Sequence, residues 1–137
     1  MMAHTVNYLS VLLAAVAAWI FGGVYYTSLS KYWLAAQGKT YAYCADTKYD
    51  ESIIPHIRNA DLIYHETTYL DMLRERAIER FHSTSKQAAL IAQKANVKKL
   101  LIGHFSSKYD TLEEFESEAR EVFLDTEIAT EGVTYKV

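Results

Sequence analysis

Tyr41-Ala42-Tyr43-Cys44-Ala45-Asp46-Thr47-Lys48-Tyr49 and Leu100-Leu101-Ile102-Gly103-His104-Phe105-Ser106-Ser107 are two short, apolar, β-prone runs. Each stops at a residue able to hold a metal, Asp46 in the first and His104 in the second. That is the layout of a site built where strands end. Working outward from them, strand-like and helix-like patterns alternate. Tyr41 to Ala45 reads as a strand, Glu51 to Asn59 as a short helix capped by Asp50 or Ser52, and Asp61 to His65 as a second strand. Pro55 is tolerable in that helix only near its start. Leu70 to Phe81 reads as a helix, and Thr84-Ser85-Lys86-Gln87 is a capping box that opens another, with Ala88, Ile91, Ala92 and Ala95 on one face. Lys98 to His104 is the most apolar strand and is expected in the sheet interior. Thr111-Leu112-Glu113-Glu114 reads as a second capping box for a helix to about Phe123, and Ile128 to Val137 as one or two closing strands. Alternation of this kind predicts an α/β fold, a sheet layered with helices.

The apolar content of the 137 residues is unevenly placed, with no charged side chain between Thr5 and Ser30. From Tyr41 onward, 12 Lys+Arg stand against 17 Asp+Glu, a net of −5. This part therefore lacks the overall basic excess of a stand-alone nucleic-acid binder, although a local patch remains compatible with it. The single Cys44 excludes an intrachain disulfide.

Tyr8 to Tyr26 is a 19-residue apolar run with Trp19, Phe21, Tyr25 and Tyr26 at its C-terminal end. It predicts one membrane-spanning helix, because about 20 residues cross the hydrocarbon layer and aromatic side chains favour its interface. The alternative is a buried helix of a soluble core, which would rarely lack a polar face over this length. Lys31 just beyond would place the C-terminal part in the cytoplasm. A cleaved signal peptide fits less well, since Met1 to Asn7 carries no Lys or Arg. Val6 to Ala15, Phe21-Gly22-Gly23-Val24-Tyr25-Tyr26 and Trp33 to Thr40 resemble the opening of a family of small multi-span bacterial membrane proteins. Two segments result, a membrane-helix segment at 1–40 and a second domain at 41–137.

The second domain has a resemblance of its own. The two opening runs, with Tyr64-His65-Glu66-Thr67 and His82-Ser83-Thr84 between them, resemble in order and nearly in spacing the C-terminal half of bacterial ribonuclease Z, over about residues 38 to 137. Those enzymes are zinc endonucleases of the metallo-β-lactamase superfamily that trim tRNA 3′ ends. The resemblance implies half of a metallo-β-lactamase-like αββα sandwich, with one sheet edge or face uncovered. It implies zinc, two ions in the complete enzyme, with Asp46 and His104 as ligands, and precursor tRNA as partner. A carboxylate can meet two cations with its two oxygens, and neutral imidazole suits zinc's borderline softness. The resemblance further implies that Glu66 and His82 relay a proton to the leaving oxygen, the carboxylate orienting the imidazole and favouring its charged form. Ser106, Ser107 and Lys108 match residues near the scissile phosphate. Two departures stand out: Thr67 replaces a usual Ala, and Lys108 replaces a common Arg, losing its bidentate fork.

The superfamily's His-x-His-x-Asp-His cluster is absent; the five histidines are His4, His56, His65, His82 and His104. Zinc sites normally need three or four protein ligands, so weak or no zinc occupancy and no activity of the isolated chain are expected. The protein partners expected are a complementing N-terminal half or, through the uncovered sheet, a second copy of the chain in a homodimer. Two further readings stand beside this one. The chain is a small membrane protein, associated with the membrane through residues 8–26 and carrying a cytoplasmic appendage; or it is a chimeric fusion with no selected function, cytoplasmic if the helix is an artefact of fusion.

Overall fold

The computed structural model describes residue 9, residues 11–20 and residues 38–137. The chain divides into two compact units, Met1–Gly38 and Lys39–Val137. In the first, residues 11–20 are helical. The expected membrane span is not supported: among the described residues no helix is long and apolar enough to cross a membrane. Residues 8, 10 and 21–26 of that span lie outside the described residues, as does much of the stretch resembling multi-span membrane proteins.

The second unit is a mixed α/β fold built on a four-stranded, wholly parallel sheet: β1 (Tyr41–Cys44), β2 (Leu62–Glu66), β3 (Leu100–Gly103) and β4 (Thr126–Ile128), in that spatial order. The connections carry α1 (Ile54–Ile57), α2 (Arg74–Glu79), α3 (Ser85–Ala95) and α4 (Glu113–Arg120). Sequential parallel strands joined by crossovers of one hand must place those crossovers on one face. The core accordingly joins Ile63, Leu100 and Ile102 to Ala88, Ile91, Ala92 and Ala95 of α3 and to Phe115 and Ala119 of α4. Strand register puts Tyr41, Tyr43 and Tyr64 on the opposite face. There Tyr43 stacks on Tyr64 with ring centroids 4.7 Å apart, and Tyr41 and Tyr43 remain 53% and 64% exposed. The Tyr64 ring lies so close to Gly103 that a Cβ there would sit 2.5 Å from the Tyr64 hydroxyl, which accounts for glycine at the end of β3.

Local chemistry sets the element boundaries. Asp50, not Ser52, caps the first turn, accepting from Ser52 N at 2.9 Å, and the expected helix resolves into a 3-10 turn (Glu51–Ile53) followed by α1. Thr84 and Gln87 form the reciprocal capping box expected for α3, which closes on Asn96 at φ 53. Asn96 donates in turn to the Asn59 side chain, also left-handed, at 2.8 Å. Asp61 clamps the beginnings of three strands: it accepts from Thr40 N at 2.9 Å and from Lys98 Nζ at 2.6 Å. Those bonds, Lys98 first, hold its carboxyl well below the usual carboxylate range.

Three expectations change. The Leu70–Phe81 helix shrinks to a 3-10 turn (Asp71–Leu73) and α2, because Leu70 is held extended and buried, and Asp71 is committed to Arg74 and Thr84. The Thr111 capping box does not form. Leu112 occupies the cap position with no side-chain bond and packs against the core, while Glu113, Glu114 and Glu116 complement the helix dipole. Beyond β4 the described residues form no further strand, because the Tyr135 hydroxyl accepts from Thr130 N and donates to Ile128 O, each at 2.8 Å, using groups a ladder would need.

Candidate metal and proton-relay site

All four strands run the same way, so their C-terminal ends converge, and the loops leaving them carry Asp46, Glu66–Thr68 and His104. The His82 loop joins from the end of α2. Backbone-directed bonds knit these loops together: Ser83 Oγ donates to Thr47 O at 2.7 Å, Thr67 N donates to Gly103 O at 2.8 Å, and Ser106 N donates to Thr68 O at 3.1 Å. Thr67, the departure from Ala, uses its additional hydroxyl to donate to Gly103 O at 3.1 Å. Phe115 anchors the His104 loop from below, with Phe105 and Tyr109 edge-on to its ring at 4.7 and 4.8 Å.

Glu66 is fully buried and sits at the centre. Its Oε1 accepts from Ser83 N at 2.7 Å and faces His82 Nδ1 at 3.2 Å; its Oε2 accepts from Thr68 N at 2.9 Å and Thr68 Oγ1 at 2.8 Å. The donors fill the lone-pair capacity of an ionised carboxylate and leave His82 in the tautomer with its proton on Nδ1. The same carboxylate sets His104 through an intermediary. Thr68 Oγ1 gives its proton to Glu66, so it can only accept from His104 Nδ1, 2.9 Å away. The proton of a neutral His104 is thereby held on Nδ1, and the Nε2 lone pair is directed at Asp46 Oδ1 at 3.8 Å. Asp46 Oδ1 also lies 3.6 Å from His82 Nδ1. The structure thus brings Asp46, Glu66, His82 and His104 together. Thr68, which links Glu66 to His104, was missed at the sequence level; a hydroxyl two residues after a carboxylate at a strand end was its only signal.

Two acceptors facing one another across 3.8 Å, one a carboxylate, fit a cation between them. Asp46, His82 and His104 offer ligand atoms that all lie within 4.8 Å of one another. Around a tetrahedral zinc, ligand atoms lie only about 3.3–3.5 Å apart, so this set would have to contract. Of the two imidazole nitrogens that face Asp46 Oδ1, His82 Nδ1 is engaged by Glu66, and His104 Nε2 presents a lone pair. The residues fit part of a zinc site and no more.

Ser106 and Ser107 line a groove of about 630 Å³ that runs from His104 past Tyr64 to Thr130. Lys108 lies outside that lining, with its ammonium over the rings of Tyr109 at 4.5 Å and Tyr69 at 5.4 Å. Asp46 and His104 have left-handed backbones, φ 54 and 62, a conformation that costs energy for such residues and clusters at functional sites.

His65, on the helix-covered face behind Glu66, is fully buried. Its Nδ1 donates to Glu66 O at 2.8 Å, while Nε2 has no partner among the described residues. Burial pushes its pKa down, against the opposing pull of that bond and of the Glu66 charge. A histidine with a folded pKa below its unfolded one takes up its proton only on unfolding. It therefore costs stability on acidification, about 1.4 kcal/mol per pH unit starting near pH 6.5. A His65→Asn variant, which keeps a donor at the Nδ1 position, should lose this component; identical pH slopes in urea titrations of both proteins would rule the account out.

No family model matches the chain. Among known proteins, it is 48% identical over 103 residues to a ribonuclease Z from Cytophaga hutchinsonii, covering 75% of this chain and 33% of that protein. It is 47% identical over 103 residues to a ribonuclease Z from Parabacteroides distasonis, covering 75% of this chain and 34% of that one. The chain spans about one third of the length of these curated relatives. In structure it is similar to the metallo-β-lactamase fold protein YhfI from Bacillus subtilis, with a TM-score of 0.67 and 29% identity over 72% of this chain and 40% of the other.

Proposed function

We propose that residues 38–137 are the C-terminal part of a zinc-dependent endoribonuclease centre of the ribonuclease Z type, acting on the 3′ ends of precursor tRNA. The observation that carries this is the paired presentation of Asp46 Oδ1 and His104 Nε2, two acceptors 3.8 Å apart held by a buried Glu66–Thr68 network. The similarity to ribonuclease Z proteins supports it over a membrane or unselected role. Asp46 and His104 would hold zinc together with ligands from outside these residues. When bound, zinc activates a water and offsets phosphate charge. Glu66 orients His82 so that, when protonated, it can donate to the departing oxygen. Ser106 and Ser107 hydroxyls can donate to phosphate oxygens, and Lys108 adds a point charge nearby. A second sheet would pack on the exposed Tyr41 and Tyr43 face to complete the sandwich.

The test is complementation. The purified chain, alone and mixed with the N-terminal two thirds of the Cytophaga hutchinsonii relative, is assayed for zinc content and precursor-tRNA cleavage. Cleavage and tight zinc in the mixture alone support the proposal. No cleavage in the mixture, with both pieces folded and associated, sinks it; two tightly held zinc ions in the isolated chain would show that the additional ligands are already present.

A further inference from the structure

Phe81 stands out at the edge of this site. It is a large aromatic residue, 67% exposed, in the left-handed conformation at φ 60. The turn itself has a purpose: Phe81 N donates to Ile78 O at 3.2 Å and His82 N to Ala77 O at 2.8 Å, which closes α2 and places His82. That geometry favours Gly or Asn. The Asn59 and Asn96 turns use residues that tolerate it, whereas Phe81 accepts the strain and buries little in return. The Lys48 ammonium lies 5.9 Å from the centroid of its ring. Lys48 lies two residues beyond Asp46, and Phe81 one before His82.

The charge distribution adds a second, independent observation. Lys86, Lys94, Lys98, Lys99, Arg74 and Arg120 are each paired with a carboxylate. Among the described residues, Lys48, Arg76 and Arg80 form no ion pair, as is also true of Arg58, Lys108 and Lys136. Arg76 and Arg80, together with Asp71, Arg74, Glu75 and Glu79, line a surface concavity of about 850 Å³, and Arg80 precedes Phe81 in the chain. In a unit of net negative charge, a lysine without a carboxylate partner beside an exposed ring suits a ligand that is both anionic and aromatic.

We propose that Phe81, with Lys48, Arg76 and Arg80, is a stacking subsite for an unpaired nucleobase of single-stranded RNA, next to the His82 relay. The choice of RNA rests on the function proposed above. The ring takes the base face, and the cations meet the flanking phosphates. A paired base has no free face to offer, so the subsite selects unpaired RNA and tolerates any sequence.

Binding of a fluorescein-labelled oligoadenylate to the full chain, in EDTA so that no cleavage contributes, tests this by anisotropy, with an RNA duplex as comparison. Phe81→Gly should weaken oligoadenylate binding about ten-fold or more while raising Tm by a few degrees, and Phe81→Trp should preserve affinity. Lys48→Ala should weaken binding and reduce the log–log salt slope by about 0.7. Undiminished binding by Phe81→Gly, equal affinity for the duplex, or no binding by the parent chain would each overturn the subsite. Because zinc and cleavage play no part, this outcome is separate from that of complementation: a chain that binds through Phe81 yet never cleaves with its complement refutes the function and leaves the subsite.

Discussion

Replacing Glu66 with alanine should cost the 39–137 unit about 3–5 kcal/mol, a large fraction of the roughly 5–15 kcal/mol stability of a domain this size. The carboxylate is fully buried and takes three bonds from Thr68 N, Thr68 Oγ1 and Ser83 N, besides facing His82 Nδ1. Truncation leaves two buried backbone N–H groups without their carboxylate acceptor, each costing about 1–3 kcal/mol. Glu66→Gln retains the shape and one acceptor, so it should cost less, yet its amide donors face Ser83 N or Thr68 N and disturb one side of the network. Urea unfolding at constant m-value measures both. A loss below about 1 kcal/mol for Glu66→Ala would mean that the network is not the keystone of these loops.

The second large effect is chemical. In the complemented assembly, His82→Ala should lower the cleavage rate about 10²- to 10⁴-fold, the usual contribution of a positioned general acid, while zinc content stays unchanged. Asp46→Ala should instead lower zinc content along with the rate. The contrast follows from the atoms that face Asp46: His82 Nδ1 is engaged by Glu66, whereas Asp46 Oδ1 and His104 Nε2 face each other with no proton between them. If His82→Ala also emptied the metal site, His82 would be a ligand, and the Asp46, His82 and His104 cluster would have closed into a three-ligand centre.

Both predictions depend on how loops meet. The periodicity of apolar residues and the capping box at Thr84 were legible because they are local: a strand pattern repeats every two residues, a helix face every three or four, and a cap bonds within its own turn. Thr111 misled for the same reason. The motif was present, but burial of Leu112 against the core outweighed one exposed hydrogen bond. The Leu70–Phe81 segment reads as continuous helix, yet Asp71 bonds to Thr84, thirteen residues away, and no local pattern encodes such a partner.

By itself, then, the sequence determined the α/β alternation and placed Asp46 and His104 at strand ends, and resemblance to ribonuclease Z singled out Glu66 and His82. What only the tertiary structure decided is the chemistry available to them. Thr68 bridges Glu66 to His104 across 36 residues, and that bond assigns the proton to Nδ1 and the lone pair to Nε2. Phe81 looks in sequence like the last apolar residue of a helix, but a left-handed turn puts it in solvent beside Lys48. Proton positions and ring exposure arise from groups distant in the chain meeting in a low-dielectric setting, where each buried polar atom must find a partner.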